Sequence, residues 1–235
     1  MFDGFSYQAD ELPYGLPREE DNAKKPAVQT AENHRAYLFI KRFFDITLSA
    51  LGLVLLSPVF LVLAIWVKAD SKGPAFFAHT RVGIDHKPIN IYKFRTMVDH
   101  AEDMIQNFTP EQQKEYQQNF KVEDDPRITR VGRFLRKTSL DELPQLLNIL
   151  RGDISIVGPR PVVVNELEKY GDHVQQFLSV RPGLTGYWQV HGRSNTSYEE
   201  RVKMDVYYIS HRSLLLDLKI VCQTIPAVLT KSGAM

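Results

Sequence analysis

The feature that most constrains this chain is an apolar run from residue 43 to residue 67, FFDITLSALGLVLLSPVFLVLAIWV, whose single charge is Asp45. As one continuous helix, the uncharged part from 46 to 67 would extend about 33 Å, enough to cross the hydrocarbon core of a bilayer. A buried helix of a soluble protein is rarely apolar on every face. The run therefore predicts that this part of the chain inserts into a membrane.

Two features argue against a simple transmembrane span. Pro58 removes a backbone donor and crowds the preceding turn, so the Ser57-Pro58 pair predicts a break near the middle of the run, where the Ser57 hydroxyl can bond a freed carbonyl. Basic residues flank the run on both sides, with Lys41 and Arg42 before it and Lys68 and Lys72 after it. The positive-inside rule assigns both flanks to the cytoplasm, which favours a helix–break–helix hairpin in one leaflet. A kinked spanning helix stays open as the alternative.

Composition narrows the classes of function. Lys and Arg together number 29 and Asp and Glu 28, so the net charge of +1 gives no global reason to expect a nucleic-acid partner. The single cysteine, Cys222, excludes an internal disulfide framework and a clustered-thiolate zinc site, and its apolar surroundings predict a packed thiol. His173, His191 and His211 lack the spacing of metal ligands, so a histidine metal site is not expected.

The 235 residues divide into three predicted parts. Residues 1–34 are polar, without the apolar core of a secretory signal, and are expected to form a disordered tail. Residues 35–72 carry the membrane hairpin, and residues 73–235 form a globular domain on the cytoplasmic side. The last apolar segment, 213–230, contains Asp217, Lys219 and Pro226, so it either packs on the core or lies at the membrane surface.

Short patterns predict the first elements of the globular part. Apolar runs at 75–77 and 89–92 surround turn chemistry at 83–88, a pattern typical of a β-hairpin. Thr109-Pro110-Glu111 predicts the start of a helix, because proline is favoured in the first turn. The rigid turns 157–161 and 181–186 each present an arginine, which suits bidentate recognition of phosphate, although purely structural turns would have the same sequence.

The segment 127–160 carries seven cations and three anions, a net charge of +4 in a nearly neutral chain. The cations are Arg127, Arg130, Arg133, Arg136, Lys137, Arg151 and Arg160. They surround the adjacent carboxylates Asp141 and Glu142. Ser139 and Glu142 fit a capping box, and the leucines that follow have helical spacing, so the acid pair is expected at the opening of a helix. Such a pair is most often a simple cap, but carboxylates, cations and a helix N-terminus are also the groups that phosphoryl transfer uses.

Eight motifs follow one another from about residue 41 to residue 230. They are KRFFD (41–45), Ser57-Pro58, GPAFF (73–77), YKFRTM (92–97), DDPRITRVGRFLRKTSLDELPQLLNIL (124–150), GDISIVGPRP (152–161), RPGLTGYWQVHGR (181–193) and DVYYISHRS (205–213). In this order they resemble the bacterial sugar transferases that are monotopic phosphoglycosyl transferases. The runs LDELPQLLNILRGDISIVGPRPVV and TIPAV are most similar to exopolysaccharide-initiating undecaprenyl-phosphate galactose phosphotransferases.

The resemblance implies an enzyme that transfers a sugar 1-phosphate from a UDP-sugar to polyprenyl (undecaprenyl) phosphate and releases UMP, the first membrane step in the synthesis of exopolysaccharide or a related glycan. It implies Mg²⁺ as cofactor and a place on the cytoplasmic face of the bacterial inner membrane, with homo-oligomers and later glycosyltransferases as further partners. The implied fold is α+β and membrane-associated. It combines a re-entrant helix hairpin with a small, mainly helical domain that has a short β-hairpin and interfacial amphipathic helices.

The resemblance also implies roles for individual residues. The catalytic Asp-Glu pair of the family matches Asp141 and Glu142, with Asp141 as the nucleophile of an aspartyl-phosphosugar intermediate and both carboxylates as metal ligands. The expected substrate-binding residues are Lys93, Arg95, Arg136, Pro159, Arg160, Pro161, Gln189 and Arg193. A direct single-step transferase and a non-catalytic membrane adaptor are the alternatives. Galactose is the first expectation for the sugar and glucose the second. N-acetylated and deoxy sugars stay open, because hydroxyl configuration is recognised by a few hydrogen bonds that the sequence does not place.

Overall fold

Helices dominate the fold, and two short strand pairs join them. The computed structural model describes residues 31–119, 122, 124–192 and 196–229. Over these ranges the chain is α+β, with one antiparallel and one parallel pair of strands. The expected tail lies mostly outside the described residues, and the first helix begins at Ala31 rather than after residue 34.

Helices α1 (Ala31–Leu55) and α2 (Ser57–Asp70) contain the apolar run and meet at a bend of 63°. Pro58 lies in the first turn of α2, where its missing N–H interrupts no helical hydrogen bond. The Ser57 hydroxyl donates to the Val54 carbonyl at 2.8 Å. The predicted break is therefore confirmed. Among the described helices, none has by itself the length and hydropathy needed to cross a membrane, whereas the bent pair has both when its two helices are taken together.

Many apolar side chains are exposed along the α1–α2 pair. Val54 before the bend is 71% exposed and Leu61 after it is 63% exposed, and Phe39 and Ile65 are exposed farther along the two helices. Single apolar residues are normal on a protein surface, but a large apolar patch marks contact with a membrane or another protein. The surface of the pair thus has the character expected of a membrane-inserted hairpin.

Polar side chains of α1 connect the hairpin to the globular part. Asp45, the single charge of the apolar run, is 3% exposed, and its Oδ1 accepts hydrogen bonds from the Ser155 hydroxyl at 3.1 Å and the Ile156 N–H at 2.9 Å. Arg42 donates to the carbonyls of Ile149 and Leu150, at 2.6 and 2.8 Å. These carbonyls belong to the last turn of a helix, where intrahelical partners are missing. Polar contacts of these two residues, which lie on one face of α1, therefore fix the helix to the domain.

The antiparallel strand pair is the hairpin of β1 (Phe76–Val82) and β2 (Pro88–Phe94), which are paired along their whole length. A 3₁₀ turn, Ile84–His86, joins the two strands. This arrangement confirms the β-hairpin expected around the turn chemistry at 83–88. Directly opposed residues of such a pair project to the same face of the sheet, which later determines the side chains that reach the site.

The second strand pair is parallel and joins β3 (Ser155–Val157) to β4 (Gly183–Thr185). The sequence pattern had indicated only turns in both segments, because strands of three residues are too short to show alternation. The two backbones approach closely at Gly183, where a Cβ atom would clash with the backbone nitrogen of Gly158. The pairing brings the two arginine-bearing turns side by side.

Two helices follow the β-hairpin. Helix α3 (Pro110–Asn119) begins as predicted, because Thr109 and Gln112 exchange side-chain-to-backbone hydrogen bonds at 3.1 and 3.3 Å. Helix α4 (Arg130–Thr138) is amphipathic: it buries Val131 and Leu135 against α2 and exposes Arg130 and Arg133, whereas Arg136 is half-buried. Helix α4 agrees with the amphipathic helices expected in this domain, and its place at a membrane interface stays a prediction.

The predicted capping box between Ser139 and Glu142 does not form. Ser139 instead ends α4 with a left-handed backbone, φ 57°, and its N–H donates to carbonyls in the last turn of that helix. A 3₁₀ turn, Leu140–Glu142, follows, and α5 (Gln145–Arg151) begins only after Pro144. Since proline is best accommodated at the start of a helix, Pro144 sets the beginning of α5 and leaves the acid pair in the turn before it.

The remaining elements form the main hydrophobic core. They are a 3₁₀ helix, Val164–His173, and the helices α6 (Val174–Leu178), α7 (Tyr187–His191), α8 (Tyr198–His211) and α9 (Leu214–Leu229). Tyr170, Met204 and Ile220 are among their fully buried side chains. Helix α9 thus packs on the core through Ile220, one of the two arrangements expected for it, and keeps Leu215 and Leu218 exposed. The expectation of a packed thiol at Cys222 is wrong, because this residue is exposed on the same helix.

Candidate active site

The adjacent carboxylates Asp141 and Glu142 lie in the 3₁₀ turn between α4 and α5. Leu140 and Leu143 on either side of them pack into the apolar cluster formed by α2, β2 and α4. Asp141 is 7% exposed, and the side chain of Glu142 is 26% exposed. The flanking leucines therefore fix the turn directly against α2 of the α1–α2 pair.

Lys93 of β2 contacts both carboxylates at different distances. Its Nζ lies 2.6 Å from Glu142 Oε1 and 3.9 Å from Asp141 Oδ2. The buried Gln145, the first residue of α5, also hydrogen-bonds to Glu142. Glu142 is therefore held by two close partners, while Asp141 has a longer contact with the lysine and is the less constrained of the two acids.

The two carboxylates also differ in how they ionise. Burial raises the pKa of Asp141, and the charge of Lys93 opposes this effect. Burial acts in the same direction on Glu142, but the charges of Lys93 and Arg160 outweigh it and lower the pKa of that residue. Glu142 is consequently the more firmly ionised carboxylate and Asp141 the more basic one, a separation typical of acid pairs that share a site.

An open cleft lies beside the acid pair, where β1, β2, α5, the turn after β3, β4 and α7 meet. Its lining residues are Arg81, Ile91, Lys93, Glu142, Gln145, Arg160, Pro161, Gly183, Leu184 and Gln189. Three of these side chains are cations and one is a carboxylate, so the cleft favours an anionic ligand. Arginine in particular suits phosphate, because its planar group can bind two oxygens at once.

The structure brings part of the expected substrate-binding set into this cleft. Its lining includes Lys93, Arg160, Pro161 and Gln189. Pro159 lies beside them, and its carbonyl accepts the Gly183 N–H at 2.8 Å, which fixes the turn. Arg136 is outside the lining: its Nε donates to the Thr96 hydroxyl at 2.9 Å, and its charge acts on a carboxylate of the acid pair. Arg193 lies outside the described residues.

Arg95 takes a different position from the one expected of it. It is buried, and its guanidinium donates to the carbonyls of Ser71 and Lys72, which follow α2. The expectation that all of the selected cations face one anionic pocket therefore does not hold for Arg95. The reason is local: β2 ends at Phe94, so the alternation that directs Lys93 toward the cleft no longer determines the direction of Arg95.

Two residues of the cleft with polar side chains, Arg81 and Gln145, were not selected from the sequence. The register of the hairpin shows how Arg81 could have been found. Phe77 is opposite Lys93 and Arg81 is opposite Ile89, and opposed residues share a face to which every second residue returns. Arg81 therefore lies on the same face of the hairpin as Lys93. Nothing comparable in the sequence marks Gln145, whose role depends on where α5 begins.

The acid pair supplies the oxygen donors that Mg²⁺ prefers. This cation is usually bound through one or two carboxylates, with water and substrate phosphates completing its shell. Within the ranges that the structure describes, no group of three or more His, Cys, Asp or Glu side chains is placed to hold a metal by itself. Asp141 and Glu142 therefore fit a Mg²⁺ ion that is shared with a phosphate-bearing substrate.

Comparison with known proteins shows close similarity along most of the chain. It is 43% identical over 225 residues to the exopolysaccharide production protein ExoY of Rhizobium meliloti, which covers 94% of this chain and 95% of that protein. It is 45% identical over 204 residues to the undecaprenyl-phosphate galactose phosphotransferase of Salmonella typhimurium, covering 85% and 42% of the two chains.

A third relative is the UDP-glucose:undecaprenyl-phosphate glucose-1-phosphate transferase of Klebsiella pneumoniae, 41% identical over 198 residues, which are 80% of this chain and 40% of that protein. The chain thus spans nearly all of the Rhizobium protein and about two fifths of the other two. The sequence pattern described as "Bacterial sugar transferase" matches residues 36–231. The chain therefore belongs to the bacterial sugar transferase family.

Proposed function

We propose that this protein transfers a sugar 1-phosphate from a UDP-sugar to undecaprenyl phosphate, at the cytoplasmic face of the bacterial inner membrane. One observation carries this conclusion: Glu142 of the acid pair lines a cleft that also holds three cations, and the turn that bears both acids packs directly against α2 of the apolar α1–α2 pair. A soluble anionic donor can reach the cleft from water, and a lipid phosphate can reach it from the bilayer surface. The names of the Salmonella and Klebsiella relatives support these substrate classes.

The transfer proceeds in two displacements. A carboxylate oxygen of Asp141 attacks the phosphorus that bears the sugar, the bond from this phosphorus to the bridging oxygen breaks, and UMP leaves with that oxygen. The intermediate is an acyl phosphate that carries the sugar. An oxygen of undecaprenyl phosphate then attacks the same phosphorus, which breaks the acyl phosphate bond, restores the Asp141 carboxylate and yields undecaprenyl diphosphate sugar.

The surroundings of each residue suit this division of roles. Asp141 is the more basic carboxylate and has only a long contact with Lys93, so it is available as a nucleophile. Lys93 and Arg160 reduce the repulsion between that anion and the diphosphate and stabilise the charge on departing UMP. Asp141 and Glu142 would hold Mg²⁺, which would supply additional neutralisation of the phosphate oxygens.

The α1–α2 pair serves as a re-entrant hairpin in this proposal. Both ends of the apolar run are bonded to the same globular domain: Arg42 and Asp45, in the middle of α1 where the run begins, and Asp70 at the end of α2, whose carboxylate accepts the Val131 N–H at 3.1 Å. Two ends that are attached to one domain favour one side of the membrane, in agreement with the basic flanks. The exposed apolar side chains around the bend would then lie in the leaflet.

The test is the release of UMP by the purified protein in lipid with Mg²⁺, first from UDP-galactose and then from UDP-glucose. The covalent route predicts a burst approaching one equivalent of UMP per protein without undecaprenyl phosphate, and continued turnover with it. Turnover without such a burst supports direct transfer. No release from any UDP-sugar, with or without lipid acceptor, supports a non-catalytic adaptor.

Asp141→Asn is the matched variant, because it keeps the shape of the side chain and removes the anionic oxygen. We expect neither a burst nor turnover, and no gain of the mass of a sugar phosphate by rapid quench and mass spectrometry. Asp172→Asn removes an exposed carboxylate and should retain all three signals. Substantial turnover by Asp141→Asn, with deamidation excluded, contradicts the covalent assignment and leaves direct transfer standing.

A further inference from the structure

Arg81 is the cation of the cleft that the mechanism has not used, and a carboxylate on a neighbouring element holds it there. Nη1 of Arg81 lies 3.2 Å from Glu166 Oε1, and the residue lines the cleft together with Lys93 and Arg160. We propose that Arg81 binds the diphosphate of the nucleotide sugar and that Glu166 is the positioning residue that directs it, an inference that rests on the function proposed above.

Two acceptors fix the guanidinium of Arg81. Besides Glu166, His79 contacts it, with 3.4 Å between Arg81 Nη2 and His79 Nδ1. Burial lowers the pKa of His79 to about 4, and the charges of Arg81 and Lys93 act in the same direction, so the ring is neutral at physiological pH and its Nδ1 can accept. Among the described residues these are the hydrogen-bond partners of a group with five N–H donors, which leaves donors for ligand oxygens.

The charges around Arg81 also favour an anionic ligand. Burial and the charge of Arg160 lower the pKa of Arg81, and Glu166 opposes the shift. Two neighbouring guanidinium groups repel each other, whereas a phosphate between them would bind to both. Glu166 therefore offsets the electrostatic repulsion between Arg81 and Arg160 in the absence of substrate.

Glu166 has further partners besides Arg81, which fix its position. Its Oε2 accepts a hydrogen bond from the Tyr198 hydroxyl at 3.1 Å and lies 3.5 Å from Arg201 Nη1. Arg201 is buried and stacks on the Trp188 ring, 4.6 Å from its centroid. Trp188 immediately precedes Gln189, which lines the cleft. The carboxylate thus belongs to a layer of fixed side chains behind the cleft, as expected of a positioning residue.

The test compares UDP binding and UDP-sugar kinetics in Glu166→Gln, which keeps the shape of the side chain and removes its charge. We expect the dissociation constant of UDP and the KM for UDP-sugar to rise about tenfold or more, with a smaller change in kcat, because a charged hydrogen bond that orients Arg81 is lost. Arg81→Gln should show the same loss, and Arg81→Lys a partial one, since lysine keeps the charge without the planar fork. Glu168→Gln removes an exposed carboxylate from the same 3₁₀ helix and should match wild type.

A double variant separates positioning from a general structural role. If Glu166 acts through Arg81, combining Glu166→Gln with Arg81→Gln weakens UDP binding no further than Arg81→Gln alone. Losses that multiply, or unchanged UDP affinity in single variants that melt like wild type, overturn the inference. Should Glu166→Gln fail to fold, the two Arg81 variants decide whether that residue binds the diphosphate. A wild-type protein that releases no UMP from UDP-sugar would instead contradict the proposed function itself.

Discussion

Lys93 gives the neighbouring acids Asp141 and Glu142 different surroundings, which suit different roles. Lys93 Nζ lies 2.6 Å from Glu142 Oε1 and 3.9 Å from Asp141 Oδ2, and Gln145 is a second partner of Glu142. Glu142 is therefore the anion that the protein keeps in place before any ligand binds. A fixed, ionised carboxylate suits the binding of a cation, and a less constrained, more basic one suits attack on phosphorus.

We expect Glu142→Gln to lower turnover severely and to raise the Mg²⁺ concentration that gives half of the remaining activity, because an amide binds a hard cation more weakly than a carboxylate does. The measurement is a Mg²⁺ titration at saturating UDP-sugar. Glu102→Gln, which changes an exposed carboxylate, should leave the midpoint unchanged. A midpoint that also stays unchanged in Glu142→Gln would show that this residue has a task other than metal binding.

The buried Asp205 of α8 predicts a dependence of stability on pH. Burial raises the pKa of Asp205 from 3.8 to about 6, against the effects of Arg201, the Tyr170 hydroxyl and Arg160. Between these two values the folded chain holds a proton that the unfolded chain has released. The stabilisation from this group is therefore complete below about pH 4 and is lost as the pH rises through 6.

Asp205→Asn removes this titration. Relative to wild type, the variant should gain stability as the pH rises from 4 to 7, by up to about 3 kcal/mol. Thermal unfolding in detergent at a series of pH values measures the difference. Asp172→Asn, at an exposed position, should follow the wild-type curve. Curves for Asp205→Asn and wild type that run parallel over this range would contradict the raised pKa.

Some site residues could be selected from the sequence because a motif fixes their local geometry. Arg160, between two prolines in a rigid turn, and Lys93, within a regular strand, are such cases, and both line the cleft. Arg95 differs because it follows the end of β2, where the carbonyls of Ser71 and Lys72 after α2 decide its direction. Glu166 carries no local signal at all, since its importance comes from contacts with β1 and α8.

At the scale of elements, the break in the apolar run was predictable from the sequence, whereas the pairing of β3 with β4 and the beginning of α5 were not. Pro58 alone is sufficient to end one helix and begin another. The parallel pairing of β3 with β4 depends on a close approach between distant glycines, and the beginning of α5 depends on whether Pro144 or Ser139 sets the helix start. Such outcomes are decided by tertiary contacts and by competition between local signals.

The re-entrant arrangement proposed for the α1–α2 pair leads to a specific prediction about membrane topology. We expect cysteines placed at Arg35 and Lys72, two exposed positions at the ends of the α1–α2 pair, to react with an impermeant maleimide from the cytoplasmic side only. The background is Cys222→Ser, and Val54→Cys near the bend should be protected on both sides because the bilayer would surround it. Labelling of position 35 from the periplasm alone would establish a spanning helix.

The whole molecule separates its charge and its apolar surface although its net charge is only +1. Cations converge on the cleft from β1, β2 and the turn after β3, while exposed apolar side chains concentrate on the α1–α2 pair and on α9. Family resemblance supplied the order of these parts and the identity of the acid pair. The polar contacts that attach the hairpin to the domain became visible only in three dimensions.

The bonds from Arg42 to the end of α5, and from Asp45 to β3, link the depth of the α1–α2 pair in the membrane to the height of the acid pair above it. In the proposed re-entrant arrangement, the thickness of the hydrocarbon core determines how deeply the helices lie in the leaflet. The bonds would then make the position of the carboxylates depend on that thickness. In vesicles of increasing acyl-chain length, the rate of transfer to undecaprenyl phosphate should pass through a maximum, while the affinity for UDP stays constant. A rate that is equal in all of these vesicles would mean that the lipid phosphate, and not the carboxylate, adjusts its height.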